Sequence, residues 1–348
     1  MTDGPGVTMK CRIGLRRGLA LAVSGALLLG ACSVAGDGAD PQRADPRSTA
    51  PAPTRSTASP DTSDPAVKTT EIVAVGDIVC DPTSPVFDDP NLCRHEEVAR
   101  LTNRLVNDGA EWFLPLGDIQ YEDGTLSAFN AVYDKWFGKF RPITEPIAGN
   151  HEWHTEGAEG YFDYFGERAG TAAKPWRSFS PVEGWRVFLL DSNCEFVGGC
   201  GPDSAQGKWL ARQLKGSPEE CSIAAWHHPL HTSGGYNGDE ATIERAQPLW
   251  DLSDAGGVDV VLNGHDHIYE RFAPIDGMTQ FVVGSGGKEL YNITALAPRS
   301  QVQFDDRMGV LRLTLSSDGG YDYAFIDSRT LRVVDAGSAA CRNDPTGS

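Results

Sequence analysis

The chain has 348 residues, 40% of them hydrophobic, enough for one large domain or two small ones. Its formal net charge of −18 and pI of about 4.8 argue against a nucleic-acid backbone or an anionic membrane surface as the main partner. Small phosphate substrates are not excluded, because bound metal ions dominate the field around them.

In chain order, the first element is a targeting segment over residues 1–31. Lys10, Arg12, Arg16 and Arg17 form a positive stretch ahead of LALAVSGALLLGA, residues 19–31, an apolar run too short to span a bilayer comfortably. Met9, just ahead of these charges, is a second candidate start. The run closes in Leu29-Gly30-Ala31-Cys32, which resembles the lipobox of bacterial lipoproteins. That resemblance implies a lipid on Cys32; without it the segment is an ordinary secretory signal. Residues 32–67 are rich in Pro, Ser and Thr and poor in large apolar groups, so a disordered tether is expected. The expected location is outside the cytoplasm. The protein is either a cell-surface lipoprotein, touching the membrane only through Cys32 at its outer face, or secreted.

From Thr70 the apolar patterning becomes regular, and one catalytic domain is expected over residues 68–342, with 343–348 as a tail. EIVAVGD (71–77), EWFLPLGD (111–118), EPIAGNHEW (145–153), WRVFLLDSN (185–193), CSIAAWHHP (221–229) and VDVVLNGHDH (258–267) read as strands running into polar turns. Helices are expected over 95–106, 126–140, 204–216 with a Ser204 cap, and the TIERAQPLWDLSDAG stretch. QFVVGSGG, MGVLRLTLSSDG, YDYAFID and LRVVDAG follow as consecutive strands. Strand–helix alternation followed by a run of strands implies an α/β core with added antiparallel strands.

Setting aside Cys11 and Cys32 leaves six cysteines, for which fifteen pairings exist. Closeness in sequence favours Cys80–Cys93 and Cys194–Cys200; the remaining Cys221 and Cys341 would then pin the C-terminus to a core strand. The spacings do not resemble a zinc ribbon.

Five segment ends carry a potential metal ligand: Asp77; Asp118 with Tyr121; Asn150 with His151; His227 with His228; His265 with His267. A single Gly-Asp is an ordinary turn and a lone histidine is more often a surface or core residue. Five in succession after apolar runs point to a site at the carboxyl ends of the strands. Carboxylate, amide oxygen and imidazole suit zinc, manganese or iron. Seven or eight donors exceed the needs of one tetrahedral zinc and suit two cations sharing a carboxylate.

The ordered pattern GD…GD…GNHE…HHP…GHDH resembles the calcineurin-like metallophosphoesterase superfamily, and GDIQY with GHDHIYER resembles its purple acid phosphatase branch. The resemblance implies a four-layer α/β/β/α sandwich with a mixed β-sheet core. It implies Asp77, Asp118, Tyr121 and His267 on one metal, and Asp118, Asn150, His227 and His265 on the other. Tyr121 would bind Fe(III) as a phenolate and give a visible charge-transfer band; the second ion would be divalent Fe, Zn or Mn. Hydrolysis of small phosphate monoesters by a metal-supplied hydroxide is the expected reaction. His151 is expected to protonate the leaving oxygen or hold the phosphate, oriented by Glu152, with His228 and His231 as further phosphate contacts or as support. His154 has a weaker claim, His95 is expected on a helix surface, and Gly234, Gly235 and Gly238 suggest a mobile loop. The chain departs from the branch in having Asp77-Ile78-Val79 where Asp-x-Gly is usual, and only the tether where plant enzymes carry a β-domain. A phosphodiesterase or nucleotidase on the same scaffold, or a non-catalytic surface protein binding metal or phosphate, are the alternatives. Oligomeric state is not readable from the sequence.

Overall fold

The structure is a computed structural model and describes residues 66–216 and 221–342. The targeting segment, Cys32, all of the tether but its last two residues, and the 343–348 tail lie outside the described residues.

In chain order the strands are β1 Thr69–Val75, β2 Trp112–Pro115, β3 Arg177–Phe179, β4 Trp185–Leu189, β5 Cys221–Ala225, β6 Val260–Asn263, β7 Tyr269–Phe272, β8 Thr279–Val283, β9 Ser300–Phe304, β10 Gly309–Ser316, β11 Gly320–Asp327 and β12 Val333–Ala340. They form two mixed sheets, ordered β12-β11-β10-β1-β2 and β3-β4-β5-β6-β8-β7-β9. Strands β4, β5, β6 and β8 run parallel. Every residue of β5 and β6 is buried, as expected for parallel strands covered on both faces. In β10, Leu311, Leu313 and Leu315 are buried while Arg312, Thr314 and Ser316 between them are half-buried, so that strand offers one face to the core. One apolar cluster joins the two sheets, and the Trp185 indole donates to the Ser316 carbonyl across them at 2.8 Å.

The helices are α1 His95–Asp108, α2 Leu126–Ala128, α3 Asp134–Phe137, α4 Glu159–Phe165, α5 Ala205–Gly216 and α6 Glu240–Ala255. In α1, Val98, Leu101 and Leu105 face inward at helical spacing. Ser204 caps α5 by accepting the Gly207 N–H at 2.9 Å, and Asp239 caps α6 by accepting the Thr242 N–H at 2.8 Å. The disulfides are Cys80–Cys93, Cys194–Cys200 and Cys221–Cys341, the expected set. The last closes a separation of 120 residues, worth about 4–5 kcal/mol in chain-entropy terms.

Four expectations change. Residues 145–149 run beside β2, with the Glu145 and Ile147 N–H groups donating to the Phe113 and Pro115 carbonyls, but form only the isolated bridges Phe113–Thr144 and Leu116–Ile147, because Pro115 in β2 has no N–H to donate between them. The expected helix over 126–140 is split: α2 and α3 flank a π-helical stretch Phe129–Tyr133, and a 3-10 stretch Gly138–Ile143 follows. Strands β3, β7 and β9 are additional. His95 is not on a surface: it is 3% exposed, packs against Phe87 and Trp136, and its Nδ1 lies 3.0 Å from Cys93 Sγ. Although Cys80, Cys93 and His95 cluster as metal ligands would, the two sulfurs are bonded to each other.

Burial, reinforced by the Lys135 charge, pushes the His95 imidazole from 6.5 down to about 4. As pH falls from 6.5 towards 4, the unfolded chain takes up a proton that the fold refuses. This residue alone should therefore withdraw about 3 kcal/mol of stability across that window. The pH dependence of the denaturation midpoint should be flatter over that range in His95→Gln; equal slopes would refute this.

Candidate metal centre

The carboxyl ends of the two sheets meet. The Gly76 N–H donates to Val283 at 2.8 Å and the Gly286 N–H to Gly76 at 3.0 Å, tying the end of β1 to the end of β8. Asp77 follows β1, Asp118 follows β2, His227 follows β5 and His265 follows β6. Asp77, Asp118 and His265 all have left-handed backbones, with φ of 60°, 47° and 69°. Such conformations cost roughly 1–3 kcal/mol each for non-glycine residues and cluster where function demands them. Space is equally tight: a Cβ on Gly117 would fall 2.4 Å from His227 Nδ1.

The side chains converge. The Tyr121 hydroxyl lies 2.9 Å from Asp77 Oδ1, 3.1 Å from Asp118 Oδ2 and 2.9 Å from His267 Nε2. His267 Nδ1 donates to the Glu289 carbonyl at 2.6 Å and His227 Nδ1 to the Leu116 carbonyl at 2.8 Å, so both rings turn Nε2 inward. His227 Nε2 is 3.2 Å from Asp118 Oδ2. Thr242 engages His265 Nε2 at 3.4 Å, leaving Nδ1 as that ring's other donor, and Asp118, His227 and His265 present ligand atoms within 4.8 Å of one another. Asn150 Oδ1 and His227 Nε2 are buried without a hydrogen-bond partner.

The electrostatics match a site shaped for positive charge. Burial alone would raise the Asp118 carboxyl, but the imidazoles of His227 and His151 hold it well below the usual range. Burial opposes an imidazolium at His227, yet the Asp118 charge pushes its pKa up to about 9. Burial, then the charges of Asp118 and Asp77, drive the Tyr121 phenol well above its ordinary value.

The other expected residues divide. His151 sits at the edge of the centre. Its Nδ1 donates to the Glu122 carbonyl at 2.6 Å, and its Nε2 is 3.8 Å from Asp118 Oδ2. Glu152 does not orient it. That carboxylate accepts the backbone N–H groups of Asp118 at 2.9 Å, Ile119 at 2.8 Å, Gln120 at 3.3 Å and Gly149 at 2.7 Å, pinning the Asp118 turn to the Gly149 turn. Burial and the Asp118 charge push its carboxyl up to about 7, against the pull of the amides. His228 is 1% exposed, bonded to Ser192 at 2.7 Å and packed against the His265 ring at 4.3 Å, surroundings that suit support of that ring. His231 packs against Trp250 and Phe272, away from the ligand cluster. His154 packs against His151, with the rings tilted and their centroids 4.6 Å apart.

The loop expected to be mobile is anchored. Asp266 accepts from the Thr232 hydroxyl at 2.6 Å, the Gly235 N–H at 3.0 Å and the Tyr236 N–H at 3.3 Å. A Cβ on Gly234 would fall 2.4 Å from Asp266 Oδ1. Two tyrosines absent from the sequence reading complete the surroundings: Tyr236 stacks on His265 at 3.9 Å and Tyr291 on His267 at 4.0 Å.

Fold and donor set together suit a metallophosphoesterase-type centre, with the candidate ligands Asp77, Asp118, His227 and His265 delivered just beyond strand ends of the two sheets. The chain belongs to the calcineurin-like phosphoesterase family, whose model matches residues 70–269. Among its relatives is probable purple acid phosphatase 20 of Arabidopsis thaliana, 26% identical over 211 residues, covering 52% of this chain and 47% of that protein. A nucleotide pyrophosphatase/phosphodiesterase of Hordeum vulgare is 24% identical over 284 residues, covering 68% of this chain and 74% of that protein. The purple acid phosphatase PPD1 of yellow lupin, Lupinus luteus, shares the fold with a TM-score of 0.63 at 19% identity, over 81% of this chain and 55% of that one. The chain thus spans about half the length of the first of these relatives, 47%.

Proposed function

We propose that this protein is an extracytoplasmic, dinuclear metal-dependent phosphatase acting on small phosphate monoesters, with residues 68–342 as its catalytic domain and Cys32 as its lipid anchor. One observation carries the reading: the Tyr121 hydroxyl meets Asp77, Asp118 and His267, His227 Nε2 lies 3.2 Å from the same Asp118 oxygen, and Asn150 Oδ1 is buried without a partner. Buried polar atoms without partners are costly, and a cation relieves that cost. Asp77, Asp118, Tyr121 and His267 would hold Fe(III), whose charge offsets the cost of ionising a buried phenol. Asp118, Asn150, His227 and His265 would hold a divalent Fe, Zn or Mn, a mixed oxygen–nitrogen set suited to such ions. Bound there, the cations supply Lewis acidity to a water and to the phosphoryl oxygens.

The chain's own residues do the rest. The Leu116 and Glu289 carbonyls fix the tautomers of His227 and His267. The Glu122 carbonyl orients His151, whose Nε2 would protonate the departing oxygen or hold the phosphate. Three disulfides among the described residues favour an oxidising compartment. The barley relative keeps diester or pyrophosphate cleavage as the second reading.

The test combines metal analysis, a visible spectrum, and rates on an aryl phosphate monoester and diester. Two metals per chain, faster monoester turnover, and a visible band lost in Tyr121→Phe are expected. Faster diester turnover would favour the second reading. A protein that binds two metals yet cleaves neither ester would overturn both.

A further inference from the structure

We propose that Tyr236, supported by Tyr291, supplies the hydroxyl that grips the phosphoryl oxygens of the substrate. This rests on the phosphatase reading and adds to it residues outside the metal-ligand set.

Both tyrosines are set in place by the same GHDH turn that carries His265 and His267. Asp266 accepts the Tyr236 N–H at 3.3 Å, and the His267 carbonyl accepts the Tyr291 N–H at 3.0 Å. Each ring then lies flat on a ligand-candidate histidine, at 3.9 Å and 4.0 Å. Both remain only half-buried, so the pair borders the open side of the centre. The two rings meet edge to face with centroids 6.0 Å apart. A phenol O–H is a donor, so Tyr236 can offer its proton to an outside acceptor. Stacked on His265, the Tyr236 ring borders the centre. Lys288, 5.1 Å over the Tyr121 ring, is paired with Glu289 at 2.8 Å and so is already neutralised. A phosphoryl group would therefore find an uncharged hydroxyl donor in Tyr236. Tyr291 is a positioning residue acting through it.

Tyr236→Phe keeps the ring on His265 and removes only the hydroxyl. In the protein purified with its own metals, metal content should be unchanged. The inhibition constant of inorganic phosphate should rise about tenfold, and kcat/KM for an aryl monoester should fall about 10- to 100-fold. Tyr291→Phe should show a smaller loss that vanishes in the Tyr236→Phe background. Unchanged phosphate affinity in Tyr236→Phe, or a change that appears only with metal loss, would overturn the proposal and leave the ring as packing. If the wild type cleaves no ester but binds phosphate through Tyr236, the phosphatase reading fails and this inference stands. If it binds no phosphate, both fail.

Discussion

Asp118→Asn is expected to lower phosphatase turnover by at least about 10³-fold and to reduce metal content. The reason is that one carboxylate faces both halves of the centre. Its Oδ2 lies 3.1 Å from the Tyr121 hydroxyl and 3.2 Å from His227 Nε2, while its Oδ1 accepts the His151 N–H at 2.9 Å. An asparagine of the same shape replaces one oxygen by an NH2 group, which has no lone pair for a cation and turns hydrogens towards His227 or Tyr121. It also removes the buried charge that holds the neighbouring imidazole of His227 up at about 9. Because the substitution is isosteric, the fold should persist, so circular dichroism and metal analysis separate a site defect from unfolding. Turnover within tenfold of wild type, with both metals retained, would end the bridging role assigned to Asp118.

The ligand pattern was legible because each motif sits where an apolar strand gives way to Gly-Asp, Gly-Asn-His or Gly-His, and strand ends in such sheets face one crevice. Tyr121 was legible because a phenol three residues after Asp118 has no ordinary explanation in a turn. Roles set by contacts distant in sequence were not. Nothing local to Glu152 announces that three amides from residues 118–120 converge on it; adjacency suggested His151 as its partner instead. His231 sits four residues beyond His227, but Trp250 in α6 and Phe272 in β7 capture its ring. Tyr236 lies in a glycine-rich stretch that reads as a loose loop until the Asp266 carboxylate is seen to hold its backbone. His95 opens a helix whose polar side looked exposed, yet the Cys80–Cys93 bridge and Trp136 enclose it. The strand expected over 145–153 is reduced to isolated bridges because its neighbour β2 carries Pro115, which has no N–H to offer it.

Glu152→Ala should destabilise the protein by about 3–5 kcal/mol, the range for removing one partner of a buried charged network. Four backbone N–H groups, from Asp118, Ile119, Gln120 and Gly149, would lose their acceptor in a residue that is fully buried. Water has no ready path to replace it, so the desolvation cost of the amides is felt in full. The loss also reaches the centre. Without the carboxylate, the left-handed turn at Asp118, with φ of 47°, loses what holds it against the Gly149 turn that precedes Asn150. Metal content should therefore fall together with the denaturation midpoint. Glu152→Gln distinguishes this from an effect through His151. Its single carbonyl oxygen can serve some of the amides, but its NH2 group meets the others donor to donor, so stability should recover only in part. A carboxylate that merely oriented His151 would behave differently: Glu152→Gln would slow turnover while leaving the midpoint and both metals untouched, and that result would refute the structural assignment.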